Sequence, residues 1–416
     1  MWKYELFGKR RYKKTNGYCD PQLHYMVDLT ERLEQIKAMV DAEMYFAINR
    51  ARQYGKTTVL TALADYLQED YTVISLDFQG MSYADFASEQ SFAAAFSRQL
   101  LMETVNIPGE VKEVLENYAA GTASQATLSV LFMPLIKMCR LSRKKIVLII
   151  DEVDSATNNQ VFIDFLAQIR LCYLKRKRIP TFQSVILAGV YDIRNIKQKI
   201  RPDAEHKTNS PWNIAAKFDV NMDFSPKEIA GMLREYEAEH QTGMKIEEMS
   251  QLIYDYTSGY PYLVSGLCKN MDEEIAGTES FPDKSSAWTR AGFEEAVKLL
   301  VGDNNPLFQP LTGKLSDDPM LRTVLYELLF TGKTIPYVAQ NRYIDMASML
   351  GFIKNDRGSA VVSNRIFETV LYNLFISEEF STSGMYDAGV QERNRFIVGG
   401  HLDMKRVLEK FVETFD

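Results

Sequence analysis

Between Arg50 and Thr57 the chain reads Arg-Ala-Arg-Gln-Tyr-Gly-Lys-Thr, ending in a glycine, a lysine and a hydroxyl side chain in succession. Apolar Tyr45-Phe-Ala-Ile-Asn49 precedes this run, and Val59, Leu60, Leu63 and Leu67 follow it at helical spacing. The run therefore belongs in a strand-to-helix turn, where the natural chemistry is binding of phosphate. Gly55 lets the backbone approach an anion closely. The N–H groups of its neighbours Arg52, Gln53 and Tyr54, at a helix start, can point at that anion. Lys56 is then placed to reach β- and γ-phosphates, Thr57 to ligate Mg²⁺, and Thr58 to contact an α-phosphate. Arg50 stands where the GxxxxGK[ST] pattern has its first glycine, so the strict pattern is incomplete.

A second group of reactive residues lies far downstream. Ile146-Val-Leu-Ile-Ile150 runs directly into Asp151 and Glu152. Five consecutive aliphatic residues read as a strand buried on both faces, delivering two carboxylates at its C-terminal end. Asp151 suits a Mg²⁺ ion held through water, and Glu152 suits orienting and deprotonating an attacking water. Two acids at a strand end are common alone. Paired with a Gly-Lys-Thr loop at another strand end they are not, because in a parallel sheet both meet at the mouth where such sheets bind ligands.

The elements that must position these groups follow from apolar periodicity. Tyr71–Asp77 and Val185–Gly189 read as further strands, Phe218–Met222 as an edge strand, and Val161, Phe162, Phe165, Leu166 and Ile169 as a helix face. Strands alternating with helices give an α/β class with a parallel sheet and helices on both faces. Ser225-Pro-Lys-Glu228 forms a capping box that opens a helical unit, with Ile229, Met232, Leu233 and Tyr236 inward. One helix stops at Thr257-Ser-Gly259 and Pro261 opens the next. Beyond it, helices over 321–330 and 344–350 precede a hairpin turning at Asn355-Asp-Arg-Gly358, which predicts a winged-helix-like module. Residues 381–400 read as linker, and Leu402, Val407, Leu408 and Phe411 as a terminal amphipathic helix.

Composition narrows the classes. A chain of 416 residues with 46% hydrophobic and 25% charged residues is globular rather than disordered or fibrous. The net charge of −7 excludes a polycation overall. Four scattered cysteines (Cys19, Cys139, Cys172, Cys268) and four histidines offer little for a zinc site and read as reduced thiols of a cytoplasmic protein. No apolar run reaches the ~20 residues of a membrane helix.

Taken together, Arg-x-Arg-x-x-Gly-Lys-Thr, Asp151-Glu-Val-Asp154 and Thr257-Ser-Gly-Tyr-Pro261 resemble the AAA-like ATPases of bacteria, within the archaeal-type and STAND branch of P-loop NTPases. His24-Tyr-Met-Val-Asp28, Ser184–Tyr191, Ser210–Ile214 and Ser363–Glu368 extend the resemblance over about residues 20–380. An arginine in the first-glycine position is common in that group. The resemblance implies a five-stranded sheet in which the acidic strand is not adjacent to the phosphate-loop strand. It makes Lys56 and Thr57 the Walker A residues and Asp151 and Glu152 the Walker B pair. It implies nucleotide contact by Gly259, Tyr260 and Pro261, and cover of the adenine by Tyr25 and Met26. The implied organisation is a basic arm and adenine-side segment (1–40), an ATPase core (41–223), a helical lid (224–300), the winged-helix-like module (301–380) and a linker with terminal helix (381–416).

The function implied is a Mg²⁺-dependent ATPase acting as a nucleotide-driven conformational switch, its ligands ATP or ADP, with a homo-oligomer or a protein effector as partners and no membrane. A nucleic-acid-associated motor and a non-hydrolysing nucleotide scaffold stay open as alternatives. The basic, aromatic residues 1–17 and the clusters Arg143–Lys145, Lys175–Arg178 and Arg194–Arg201 leave nucleic acid undecided. Asp192 or Arg194 could sense a γ-phosphate, and Arg170, at the end of its helix, could act across an oligomer. Some relatives continue into a nuclease-like domain. Here Glu110-Val-Lys112 and Asp403-Met-Lys405 lack an upstream aspartate on a strand. Plasmid DNA incubated with the protein and Mg²⁺ is expected to stay supercoiled, and nicking would overturn that expectation.

Overall fold

Apolar alternation builds the centre of the molecule. The computed structural model describes residues 18–104, 106–123, 127–190, 211–302, 305, 307–382, 397–398, 401–402, 404–405 and 408. The arm at 1–17, the candidates Asp192 and Arg194, the cluster Arg194–Arg201, Asp403, Val407, Phe411 and most of the linker lie outside these. In chain order the first elements are α1 (Thr30–Asp41), β1 (Phe46–Asn49), α2 (Lys56–Leu67), β2 (Thr72–Asp77) and α3 (Glu89–Glu103). There follow α4 (Gly109–Ala119), α5 (Leu128–Leu141), β3 (Ile146–Asp151), α6 (Gln160–Lys175) and β4 (Ser184–Gly189).

The four strands form a parallel sheet in the order β1-β4-β3-β2. All six residues of β3 and all six of β4 are buried, as continuous aliphatic runs require when helices cover both faces. Ile146, Leu148 and Ile150 pack on one face with Phe92, Phe96 and Phe165. Val147 and Ile149 pack on the other with Ile36, Leu60 and Leu63. The strand bearing Asp151 is thus separated from β1 by β4, as expected.

Phe218–Met222 does not form the expected edge strand, so among the described residues this sheet has four strands rather than five. Just before that segment stands an isolated parallel bridge between Phe46 and Ala216, with the Ala216 N–H donating to the Tyr45 carbonyl at 2.8 Å. Beyond that bridge, arginine side chains claim the carbonyls. Arg50 donates to Val220, and Arg32 to Asn221 and Asp223. Phe218 still stacks on Phe46 at 5.7 Å, so the apolar signal was packing without pairing.

The second half begins with α7 (Pro226–His240), α8 (Ile246–Thr257) and α9 (Pro261–Lys269). The capping box is present: Ser225 Oγ accepts from the Glu228 N–H, and Glu228 accepts from the Ser225 N–H at 2.7 Å. Next are α10 (Lys284–Ala287), α11 (Arg290–Gly302), α12 (Phe308–Asp317), α13 (Pro319–Phe330), β5 (Ile335–Pro336) and α14 (Arg342–Met349). The hairpin β6 (Ile353–Asp356) and β7 (Ser359–Val362) then leads into α15 (Arg365–Thr382). Arg357 and Gly358 both have positive φ, 50° and 90°, the geometry that a two-residue hairpin loop demands. A short strand pair, Ile397–Val398 with His401–Leu402, replaces the expected start of a terminal helix at Leu402. The apolar core of this half also takes in Tyr25, Val27 and Ala51 from the first half. No described helix is long and apolar enough to cross a membrane.

Gly259 fixes how α8 and α9 meet the rest of the chain. Its φ is +76°, and a Cβ there would sit 2.1 Å from the Phe224 carbonyl oxygen. The Phe224 N–H donates to the Gly259 carbonyl at 2.8 Å, so two backbones touch directly. Gly277 has φ +93° but open space around it. Gly259→Ala is expected to cost more than about 3 kcal/mol, adding a backbone clash to the conformational penalty, and Gly277→Ala only about 1 kcal/mol. Chemical denaturation of the two variants checks the difference.

Candidate functional site

The turn after β1 folds as a phosphate-binding loop would. Gly55 adopts φ +75° at the head of α2, and no side chain caps the helix, which leaves its first N–H groups facing outward. Lys56 is 6% exposed, and its Nζ folds back onto the carbonyls of Arg50 and Ala51 at 3.1 and 3.2 Å. Tyr260 donates its hydroxyl to the Arg52 carbonyl and sets its ring 4.4 Å from that of Tyr54. Tyr54 in turn donates to Asp223. The loop therefore has three successive carbonyls occupied, and its shape is held from both sides.

At the end of β3 the carboxylates arrive as the strand pattern predicted. Thr57 Oγ1 donates to Asp151 Oδ2 at 2.8 Å, joining residues that are 94 apart in sequence. Asp151 Oδ1 accepts from the Glu152 N–H at 2.8 Å. Glu152 has φ +52° and ψ 40°, a left-handed conformation uncommon outside glycine. Burial lowers the pKa of Lys56, while the nearby carboxylates of Glu152, Asp154 and Asp151 act to raise it. Burial likewise raises the pKa of Asp151 and of Glu152, against the lowering effect of Lys56.

These groups line a cavity of about 590 Å³. Of the expected residues, Tyr25, Met26, Arg52, Gln53, Tyr54, Gly55, Lys56, Thr57, Thr58, Glu152 and Pro261 line it. Asp151 reaches it through Thr57. Gly259 and Tyr260 do not. Gly259 is pressed against the Phe224 backbone, and Tyr260, 2% exposed, braces the loop from behind. Pro261 alone of that triplet faces the cavity, and a Cβ on Gly55 would lie 4.0 Å from its own Cβ. Tyr25 hydrogen-bonds through its hydroxyl to Glu239 at 2.5 Å and His240 at 3.1 Å, so its position is tied to α7. Arg170 lies within α6 rather than at its end, and outside the cavity lining.

Several lining residues were not anticipated. Asp77 ends β2 in register with Asp151, so a second strand presents an acid at the same edge. A strand-ending aspartate was visible in the sequence, but without topology nothing placed it beside Asp151. Asp154 accepts from the Val190 N–H at 2.6 Å and packs on Gly189, where a Cβ would lie 2.9 Å from Asp154 Oδ1. Lys314, Met349 and Leu350 come from α12 and the end of α14, which no local motif announces.

Hard oxygen donors at Thr57 and Asp151, beside a lysine, suit a Mg²⁺ ion shared with phosphate oxygens, since Mg²⁺ is ordinarily held by one or two carboxylates plus substrate. Among the described residues no group of three or more His, Cys, Asp or Glu side chains could hold a metal alone. Of the four cysteines, Cys172 and Cys268 are buried and Cys19 and Cys139 half-buried.

A family model for the AAA-like domain matches residues 27–283, more than half of the chain. Comparison with curated protein sequences gave no match. Among solved structures, a Walker-type ATPase of Pyrococcus abyssi aligns at TM-score 0.52 and 12% identity, over 88% of this chain and 99% of that one. The ORC2 protein of Aeropyrum pernix, in ADPNP and ADP complexes, aligns at TM-score 0.46 and 14% identity over 89% and 98%. Cdc6p of Pyrobaculum aerophilum aligns at 0.38 and 11% over 84% and 94%. The first of these is a likeness of fold.

The contact of Asp154 with the Val190 N–H is testable. Asp154→Ala leaves the Val190 N–H without this acceptor and is expected to cost about 1–3 kcal/mol, whereas Asp154→Asn keeps an oxygen there and costs less. Equal losses in urea denaturation would mean that the carboxylate's role is not this hydrogen bond.

Proposed function

The chain belongs to the AAA-like domain family, and on that premise we propose that it binds ATP with Mg²⁺ in the 590 Å³ cavity and hydrolyses it, as a nucleotide-driven conformational switch. The observation that carries this reading is the 2.8 Å bond from Thr57 to Asp151, with Glu152 next in the chain on the cavity wall. It joins the loop that would hold phosphates to the strand end that would supply a base.

The roles follow from position. The N–H groups of Arg52 to Lys56 cradle the phosphates, and Lys56 turns from its loop carbonyls to neutralise the β- and γ-phosphates. Thr57 and Asp151 would hold Mg²⁺, which when bound supplies charge neutralisation at the phosphate oxygens. Glu152 orients water in line with the γ-phosphate and takes its proton, and its raised pKa makes it a better base than an exposed glutamate. Tyr25, Met26 and Pro261 would enclose the nucleoside.

The switch reading is supported by what else borders the loop. Tyr260 joins the Arg52 carbonyl to the ring of Phe367 in α15, 5.6 Å away. Gly351, at φ +84°, lies where a Cβ would be 3.1 Å from Ala51. A loop that moved with its nucleotide would press on residues 224–300, read as a lid, and on residues 301–380, read as a winged-helix-like module.

Phosphate release from ATP and Mg²⁺ tests the proposal. Lys56→Ala is expected to lose nucleotide binding. Glu152→Gln is expected to keep it while turnover falls about 10²-fold or more. Undiminished turnover in Glu152→Gln would remove that residue from the chemistry. Binding without turnover in the wild-type chain would leave a nucleotide-gated scaffold, and turnover that rises steeply with added DNA would favour the motor.

A further inference from the structure

One charged side chain reaches the cavity from the second half of the chain. Among the described residues that this half gives to the wall, from Met232 to Leu350, all are uncharged except Lys314. The other charged groups of the wall, Arg32, Arg52, Lys56, Asp77, Glu152 and Asp154, belong to the first half. Lys314 stands in the last turn of α12 and is exposed. Among the described residues no ion pair or side-chain hydrogen bond engages it.

The helix gives that side chain its direction. Leu307, Leu311 and Lys314 all line the cavity. Steps of four and then three residues keep them on one face of a helix with 3.6 residues per turn. Leu307 and Leu311 are 2% and 3% exposed, so the face is apolar and buried where it begins and carries its charge at its far end. A lysine in such a place lays its methylene stem along apolar neighbours and extends its ammonium into open, wet space. The start of α12 is also fixed relative to the phosphate loop. Asn305 Oδ1 accepts from the Leu307 N–H and from the Tyr262 hydroxyl, both at 2.9 Å. Tyr262 follows Pro261, whose Cβ would lie 4.0 Å from a Cβ on Gly55. A cation in a last helical turn answers the helix dipole as well, but that interaction does not require it to share the face of Leu307 and Leu311.

We propose that Lys314 Nζ donates to the β- or γ-phosphate of the bound nucleotide, which makes α12 the element through which the second half of the chain reads phosphate charge. The inference rests on the nucleotide-binding reading given above. A nucleotide concentrates its charge in those two phosphates, and an ammonium on a flexible stem is a point charge that suits them better than a base edge. Lys56 meets the phosphates from within their own loop, whereas Lys314 meets them from another part of the fold. Loss of the γ-phosphate then weakens one tie between the two halves.

The test uses the full chain with Mg²⁺, and competition of ATP, ADP and AMP against a fluorescent ADP analogue. Lys314→Met is expected to weaken binding of ATP, or of ATP and ADP together, by about 10-fold, the range for losing a hydrogen bond to a charged group, while AMP changes by less than about twofold. Lys314→Arg keeps a cationic donor and is expected to stay within about threefold of the wild type. Lys298→Met, which removes an exposed lysine paired with Glu295 outside the cavity wall, is expected to change none of the three affinities. Equal losses for ATP, ADP and AMP in Lys314→Met, or an unchanged affinity for ATP, would overturn the proposal. So would Lys314→Arg binding as weakly as Lys314→Met, or a comparable loss in Lys298→Met. Failure of ATP to bind the wild-type chain would bring down the nucleotide reading and this inference with it, whereas ATP binding that is indifferent to Lys314 would bring down this inference alone.

Discussion

A single ammonium group sets the terms for the centre of this molecule. Lys56 is buried, and a buried charge is costly unless its surroundings answer it. The answer comes from two loop carbonyls in hydrogen-bonding reach and from three carboxylates nearby. Each of those carboxylates is brought by β3 or the turn after it, so the sheet order that separates β3 from β1 by one strand is what spaces the opposing charges.

The same loop is where the two halves of the chain meet. Arg50 and Ala51 give their carbonyls to Lys56, and Arg52 gives its carbonyl to Tyr260. Ala51 packs in the core shared with α7 to α15, not in the cores of the sheet. Arg50 and Arg32 meanwhile occupy the carbonyls of 220, 221 and 223. The connection from sheet to helices is therefore held by side chains on backbone, beside the backbone pairing of Phe224 with Gly259.

Local chemistry was the legible part. The four parallel strands, the Gly-Lys-Thr turn, the paired acids, the capping box at Ser225 and the hairpin near Gly358 are each written in adjacent residues, and each is present. What sequence left obscure is what depends on partners far along the chain. Phe218–Met222 has a strand's composition but lost its ladder to two arginines, one of them almost 190 residues earlier, at Arg32. Gly259 and Tyr260 sit in a motif that reads as ligand contact, yet a backbone crossing at Phe224 and a hydroxyl on Arg52 turn both away from the cavity. Asp77 and Lys314 enter the wall through topology, which no run of neighbours encodes.

Glu152 holds a backbone conformation that glycine would adopt without penalty. A library sorted only for heat tolerance would be drawn to glycine at this position for its backbone, even though the substitution removes one of the carboxylates that answer Lys56. On the reading proposed above, selection for a relaxed backbone here would yield a protein that has lost its base. On that reading, position 152 is one where durability and use pull in opposite directions.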